Sequence, residues 1–182
     1  MSVPAHVAFA GGEIGPWRVD HLEALVGPPL ASVARVKVQE GRGGVAGTST
    51  WVLRGVTSSV RYTNRTERDA LAAGEEALGR SEATRAALIP ITKSEAWWNL
   101  AQDERRQIIE EDSHHIAIGL EYLPAIARRL HHGRDLGEPF DFLTWFEYPE
   151  RSAGAFEELV ARLRTTAEWQ FVEREIDIRL VR

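Results

Sequence analysis

The sequence predicts an α+β fold with antiparallel sheet, built most simply as two related sheet-plus-helix halves packed together. Three observations carry this. Runs such as Ser32-Val33-Ala34-Arg35-Val36-Lys37-Val38 and Ile176-Asp177-Ile178-Arg179-Leu180-Val181 alternate with period two, the pattern of half-buried strands. From residue 86 onward the order is strand, helices, strand, helix, strand, whereas the first half gives strands and then one helix, an abbreviated version. A chain of 182 residues, 43% hydrophobic, suffices for one ordinary core or two small fused subdomains.

The elements follow in order. Residues 5 to 19 hold the apolar segment Val7-Ala8-Phe9-Ala10 and then Gly11-Gly12, a strand and a turn. Gly27-Pro28-Pro29 is a break, and 32 to 38 is a strand. The glycine-rich stretch from 41 to 49 is a loop. No Lys-Ser or Lys-Thr follows Gly43-Gly44 and Gly47, so it lacks the parts of a phosphate cradle. Trp51-Val52-Leu53-Arg54-Gly55-Val56 and Ser59-Val60-Arg61-Tyr62 read as one long strand with an irregularity at Gly55. Thr66 to Arg80 is a helix with Ala70, Leu71, Ala77 and Leu78 as its apolar stripe. Ala86 to Ile91 is a short apolar strand. Ser94 caps a helical region that continues, with breaks, from Gln102 to about His132, and Gly133 is its stop. Phe140 to Tyr148 is aromatic and β-prone. Ser152 caps a helix running to Arg164, and Trp169-Gln170-Phe171-Val172 begins the last strand.

Composition removes several classes of function. The net charge is -5, and no basic stripe points to nucleic acid. There is no cysteine, which excludes disulfides, thiolate metal sites, c-type haem attachment and cysteine nucleophiles. That composition is compatible with a reducing compartment, and a cytoplasmic protein is the expectation. The first residues, Met1-Ser2-Val3-Pro4-Ala5-His6, lack the basic segment and apolar run of a signal peptide. No run approaches the 18 or so apolar residues that a membrane helix needs.

Chemistry-bearing residues concentrate between Lys93 and Glu147. On a helix, His115 shares a face with Gly119 and Tyr122, while His114 faces Glu121 and the wetter side. If one of the pair ligates a metal, His115 is the better choice, and a glycine one turn on leaves room for a flat ring. An axial histidine needs its other ring nitrogen held by an acceptor, and a glutamate would serve. Periodicity leaves open which one. Arg128 lies among Ala125, Ile126, Ala127 and Leu130, an apolar setting in which an arginine needs an anion or a carboxylate. Pro124 can interrupt the helix between them and let the chain wrap a ligand. Phe142, Thr144 and Phe146 share one face of a strand, with Leu143, Trp145 and Glu147 on the other. The first face is compatible with an aromatic-walled pocket and equally with ordinary sheet core. Lys93 with Trp97 is compatible with holding a carboxylate at a pocket mouth, or with plain surface.

From about Leu53 to Arg182 the chain resembles the chlorite dismutases, haem b proteins of the dimeric α+β-barrel superfamily. The resemblance rests on Arg54-Gly55-Val56, Arg61-Tyr62, the stretch from Glu82 to Ile91, Lys93-Ser94 with Trp97-Trp98, and Ser113-His114-His115-Ile116. It extends through Tyr122-Leu123-Pro124-Ala125-Ile126-Ala127-Arg128, the stretch from Gly137 to Tyr148, and Glu168-Trp169 with Val172-Glu173-Arg174-Glu175. The short first half resembles the truncated, dimeric branch of the family.

The resemblance implies two ferredoxin-like halves forming an antiparallel barrel-like core with outer helices: residues 1–82 as a truncated half and 83–182 as the haem-binding half. His115 would ligate the iron and Glu168 would accept from its other nitrogen. Arg128 would be the catalytic arginine, with Thr144, Phe146 and Leu130 lining the same side. Lys93, Trp97, Arg61 and Tyr62 match positions near the haem propionates, and Trp98 and Trp169 would pack around the iron-ligand side. The implied activity is conversion of chlorite to chloride and dioxygen by a homodimer, for detoxification, with neither nucleic acid nor membrane as partner. A coproheme decarboxylase-type relative, a haem peroxidase and a non-enzymatic haem carrier or sensor are the alternatives. Arg128 argues against the first, and the lack of a clear partner aspartate argues against the second.

Overall fold

In the computed structural model, which describes residues 5–45, 47–58 and 61–182, eight antiparallel strands close into a barrel. They are β1 (His6–Gly12), β2 (Trp17–Val26), β3 (Arg35–Glu40), β4 (Trp51–Thr57), β5 (Arg85–Lys93), β6 (Ala127–His132), β7 (Phe142–Tyr148) and β8 (Val172–Val181). Around the ring they run β1-β3-β2-β8-β5-β7-β6-β4. The fold is therefore α+β, as expected, and its two halves repeat one pattern. The first half reads β4-β1-β3-β2 and the second β8-β5-β7-β6, the same fourth-first-third-second order. In the second half helices fill both crossovers, as in a ferredoxin-like unit. In the first, β1 passes to β2 in four residues, so the crossover helix is missing and the half is abbreviated. The seams are β2 with β8, paired from Arg18↔Val181 to Val26↔Glu175, and β4 with β6, paired at Val56↔His132 and Thr57↔His131.

The helices are α1 (Arg65–Gly74), α2 (Glu95–Asn99), α3 (Gln102–Arg106), a π-helix (Gln107–Asp112), α4 (His115–Glu121) and α5 (Ala153–Arg164). Strand alternation separates two packing zones. Phe9, Leu88, Leu143, Trp145, Ile176, Ile178 and Leu180 fill the barrel. Ala87, Ile89, Ile91 and Phe146 face outward beneath Phe156, Leu159, Val160 and Leu163 of α5. This explains the unbroken apolar run in β5, which is buried on both faces. Phe156 is fully buried and stacks on Tyr148 at 4.5 Å between ring centroids, a burial that contributes about 1.5–3 kcal/mol.

Several expected boundaries differ. Strand β2 went unread because its register shifts between Val19 and His21, breaking the period-two pattern. The helix expected from 66 to 80 ends at Gly74, where glycine costs helix stability. Its start is fixed by a capping box, Asn64 accepting from the Glu67 amide and Glu67 from the Asn64 amide. The long strand from 51 to 62 stops at Thr57; Ser59 and Val60 lie outside the described residues, and Arg61-Tyr62 sit in a turn. Ser152 belongs to a short 3-10 turn and makes no side-chain cap bond. Trp169 likewise lies in a 3-10 turn, Ala167–Phe171, before the last strand.

The largest correction concerns the helical reading from 102 to 132. Helix ends at Glu121, short of Pro124, because a proline disfavours helical backbone at the residue before it. Residues 127 to 132 are strand β6, paired with β7 from Ala127↔Glu147 to His132↔Phe142. Arg128 is thus a strand residue opposite Phe146.

Candidate active site

Between the outer face of the second-half sheet and helices α1, α2, α4 and α5 lies a cavity of about 1390 Å³ of atom-free space, counting the part open to solvent. His115, Arg128, Lys93, Trp97, Arg61, Tyr62, Glu168, Thr144, Phe146 and Leu130 all line it. The sheet wall is largely apolar, with Ile89, Ile91, Phe142 and Phe146, and α1 closes another side with Leu71.

His115 is the first residue of α4, and the chain arrives at it through the π-helix and through His114 at φ 53°, in the left-handed region. His114 offers no side-chain cap. Instead Glu110 reaches forward and accepts the Ile116 amide at 2.8 Å, which caps α4. The imidazole is held by Glu168, whose Oε2 lies 2.5 Å from His115 Nδ1. A carboxylate can only accept, so Nδ1 carries the hydrogen and the lone pair is on Nε2. Glu168 Oε1 takes Lys93 Nζ at 2.8 Å, and the Glu168 amide donates to Ser113 Oγ at 2.9 Å. Burial would push the Glu168 carboxyl up. The hydrogen bonds from His115 and Lys93, the Lys93 charge, and the charge of the His115 ring when it is protonated outweigh that and hold it well below the usual carboxylate range.

Lys93 is therefore not at the pocket mouth. It is 4% exposed, its ammonium lies 4.7 Å from the Trp97 ring centre, and its stem runs beneath the site. Trp169 also faces this ammonium, at 5.5 Å, and its indole donates to Glu175. Trp98 is elsewhere: it stacks on Phe142, donates to Asp141 Oδ2 at 3.1 Å, and does not line the cavity.

Arg128 reaches from the sheet wall to the helix wall. Its Nη1 lies 3.2 Å from where a Cβ on Gly119 would be, so the space that Gly119 leaves is taken by a guanidinium rather than by a flat ring. Arg128 makes no hydrogen bond or ion pair with any described residue. Burial pulls its pKa down, and the negative charge of Glu75 acts against that. An arginine placed so, without a carboxylate in contact, is suited to accept an anion.

Two further donors are unsatisfied. Tyr62 Oη and Trp97 Nε1 are buried, and neither has a partner among the described residues. Tyr62 has φ 68°, a conformation that costs a non-glycine residue about 1–2 kcal/mol, and Arg106 steadies it by donating to its carbonyl at 2.8 Å. The same arginine grips Glu67 of α1 in a bidentate pair at 2.5 and 2.7 Å. Arg61, on the rim, donates to Ser58 Oγ.

Sequence reading missed Glu110, Ser113, Glu75 and the Glu67–Arg106 pair. Only Glu67 left a local signal, its three-residue spacing from Asn64. Asp141 is a further hub, accepting from the Lys93 amide, the Trp98 indole and Arg134. Among the described residues no group of three or more His, Asp or Glu side chains is placed to hold a metal ion. A metal bound at His115 would take its other ligands from elsewhere. No helix is long and apolar enough to cross a membrane.

The sequence model of one family, chlorite dismutase, matches residues 31–181. A chlorite dismutase of Ideonella dechloratans is 31% identical over 118 residues, 64% of this chain; the match spans 39% of that relative's length. Among solved structures, a dimeric chlorite dismutase from Nitrobacter winogradskyi is similar at 53% identity and a TM-score of 0.89, covering 97% of this chain and 99% of that one. The chlorite dismutase from Candidatus Nitrospira defluvii in complex with imidazole shares the fold, with a TM-score of 0.66 at 21% identity over 98% of this chain and 91% of that one.

Proposed function

The chain belongs to the chlorite dismutase family, and on that premise we propose that it is a haem b enzyme that converts chlorite to chloride and dioxygen. The observation that carries the reading is one cavity holding both a carboxylate-anchored histidine, His115 on Glu168, and a cation without a carboxylate in contact, Arg128.

The residues fit the group. Tyr62 Oη and Trp97 Nε1 are buried donors on the cavity wall without a partner among the described residues, as a ligand bearing carboxylates requires. Arg61 adds a positive charge beside them. His115 would hold the iron through Nε2, the only nitrogen left with a lone pair. Haem, when bound, supplies the redox chemistry by which chlorite becomes chloride and dioxygen.

This chain's residues would do the rest. Glu168 fixes the His115 tautomer and orientation, and its negative charge raises the basicity of the imidazole. Lys93 neutralises part of that charge and anchors the carboxylate. Arg128 offers several donors and a fixed charge to a small oxyanion, and keeps hypochlorite from leaving before the reaction completes. Leu130, Thr144 and Phe146 exclude water, so that charge counts for more than it would in solvent. Chlorite loses no proton, so no general base is needed near Arg128.

In this reading residues 83–182 hold the cofactor, and 1–82 contribute Arg61, Tyr62 and the cover formed by α1. The functional unit is a homodimer, by likeness to the Nitrobacter winogradskyi protein. The test is to load the full-length protein with haem, record its Soret band and mix it with chlorite. Dioxygen release with a Soret band supports the reading. A Soret band without dioxygen overturns the activity in favour of a carrier.

A further inference from the structure

Two stretches far apart in the chain close on each other around His115. One is the approach to α4, from Glu110 to Ile116, and the other is the 3-10 turn that carries Glu168. In the first, the Glu110 carbonyl accepts the Ser113 and His114 amides, and the Glu110 carboxylate accepts the Ile116 amide. A single residue thus grips the backbone on both sides of His115. His114, just before it, takes the left-handed conformation that a residue with a Cβ rarely adopts. Such a backbone persists only where its surroundings hold it, and it gathers at functional sites.

Glu168 is held at four points. Its amide donates to Ser113 Oγ at 2.9 Å. Lys93 Nζ donates to its carbonyl at 3.2 Å and to Oε1 at 2.8 Å, and Oε2 takes His115 Nδ1. Ser113 is buried, and it stands two residues before His115. The bonds therefore close a ring. It runs from Ser113 to the Glu168 backbone, through the glutamate side chain to His115, and along the chain back to Ser113. Both Lys93 contacts meet at one ammonium, about which Glu168 can pivot. Ser113 supplies the fixed point that stops the pivot, and that point sits on the same segment as the imidazole.

We propose that Ser113 is a positioning residue for the metal ligand. Its hydroxyl fixes the Glu168 backbone so that the carboxylate meets His115 Nδ1, and Nε2 is presented to the cavity in one orientation before any ligand arrives. The inference rests on the reading of His115 as the iron ligand. Outer partners of a ligating histidine set its tautomer and ring orientation. Fixing them beforehand lowers the ordering cost of binding. Ser113 does not line the cavity, so it acts through Glu168.

The test compares the full-length protein with Ser113→Ala, which deletes the acceptor, and Ser113→Thr, which keeps it. In the haem-free proteins, nitrogen NMR of the His115 ring at alkaline pH reads which nitrogen carries the hydrogen. After haem loading, transfer to excess apomyoglobin reads the rate of haem loss. The wild type is expected to show the Nδ1–H form alone. Ser113→Ala is expected to mix in the Nε2–H form and to speed haem loss about threefold to tenfold, the worth of one neutral hydrogen bond. Ser113→Thr is expected to return both to wild type. Ser113→Cys, close in size and a weak acceptor, decides the matter if Ser113→Ala does not fold. A wild-type tautomer or wild-type haem loss in the variants that lack the acceptor would overturn the proposal, even where the unfolding midpoint falls, because a merely structural serine lowers stability alone. Unchanged haem loss from His115→Ala would overturn the reading of the ligand itself, a failure to which the haem-free tautomer is blind.

Discussion

His115 Nδ1 lies 2.5 Å from Glu168 Oε2, and the two residues are 53 positions apart in the chain. The contact sets which nitrogen of His115 can take a metal, and it leaves Lys93 dependent on the same carboxylate. Glu168→Ala would strand a buried ammonium and is expected to destabilise the protein by about 3–5 kcal/mol. Denaturant unfolding measures this; a loss under about 1 kcal/mol would show that Lys93 relaxes to water. Glu168→Gln keeps a hydrogen-bond acceptor but loses the charge, and is expected to weaken haem retention about tenfold to a hundredfold. His115→Ala should lose most of the Soret absorbance, and unchanged haem occupancy would reassign the ligand.

Arg128 has no carboxylate partner to strand, so Arg128→Ala is expected to leave the fold and haem content intact. Losing charge-assisted hydrogen bonds worth about 1.5–3 kcal/mol predicts a kcat/KM for chlorite about tenfold to a hundredfold lower. The variant should also leak hypochlorite and lose activity sooner. A chlorination trap run beside the oxygen assay checks this, and equal leakage from mutant and wild type would remove the role from Arg128.

Tyr62→Phe should act with opposite sign on two quantities. The Tyr62 hydroxyl is buried without a partner among the described residues, so removing it is expected to leave haem-free stability unchanged or raise it by about 1 kcal/mol. Haem retention should fall severalfold, because a donor to the bound carboxylates is gone. A purely structural tyrosine would lower both, which paired unfolding and haem-transfer measurements would reveal.

His131 predicts a pH dependence. Burial pushes its pKa down from 6.5 to about 4; the Leu143 carbonyl works against this, Arg129 adds to it and Glu40 opposes. The folded pKa is below the unfolded one, so the unfolded chain binds the proton more readily. Stability from this group is complete above about pH 6.5 and is lost as pH falls through about 4, by about 3 kcal/mol. Unfolding in urea at pH 7 and pH 4.5 measures the slope, and His131→Phe should make it shallower. An unchanged slope would mean that His131 binds its proton as readily in the fold as in the unfolded chain.

The sequence by itself determined the fold class, the alternation that splits β7 into a cavity face and a barrel face, and the set of residues that line one cavity. Period-two patterning and the quoted stretches are local, so they survive without coordinates. Helical facing alone also put His115, rather than His114, on the cavity side. Tertiary structure decided what depends on non-local pairing. Arg128 became a strand residue because β6 needs β7 opposite it, and no local pattern in 127–132 distinguishes that from helix. Lys93 moved from the rim to beneath the site because Glu168, 75 residues away, offers it a buried carboxylate. Gly119 and Gly55 are single missing side chains whose purpose is set by Arg128 and His131 on another element. Nε2 of His131 is left without a partner among the described residues only because the closed sheet buries it. A sequence records which atoms can donate or accept, but only the packed chain decides which of them are left without a partner.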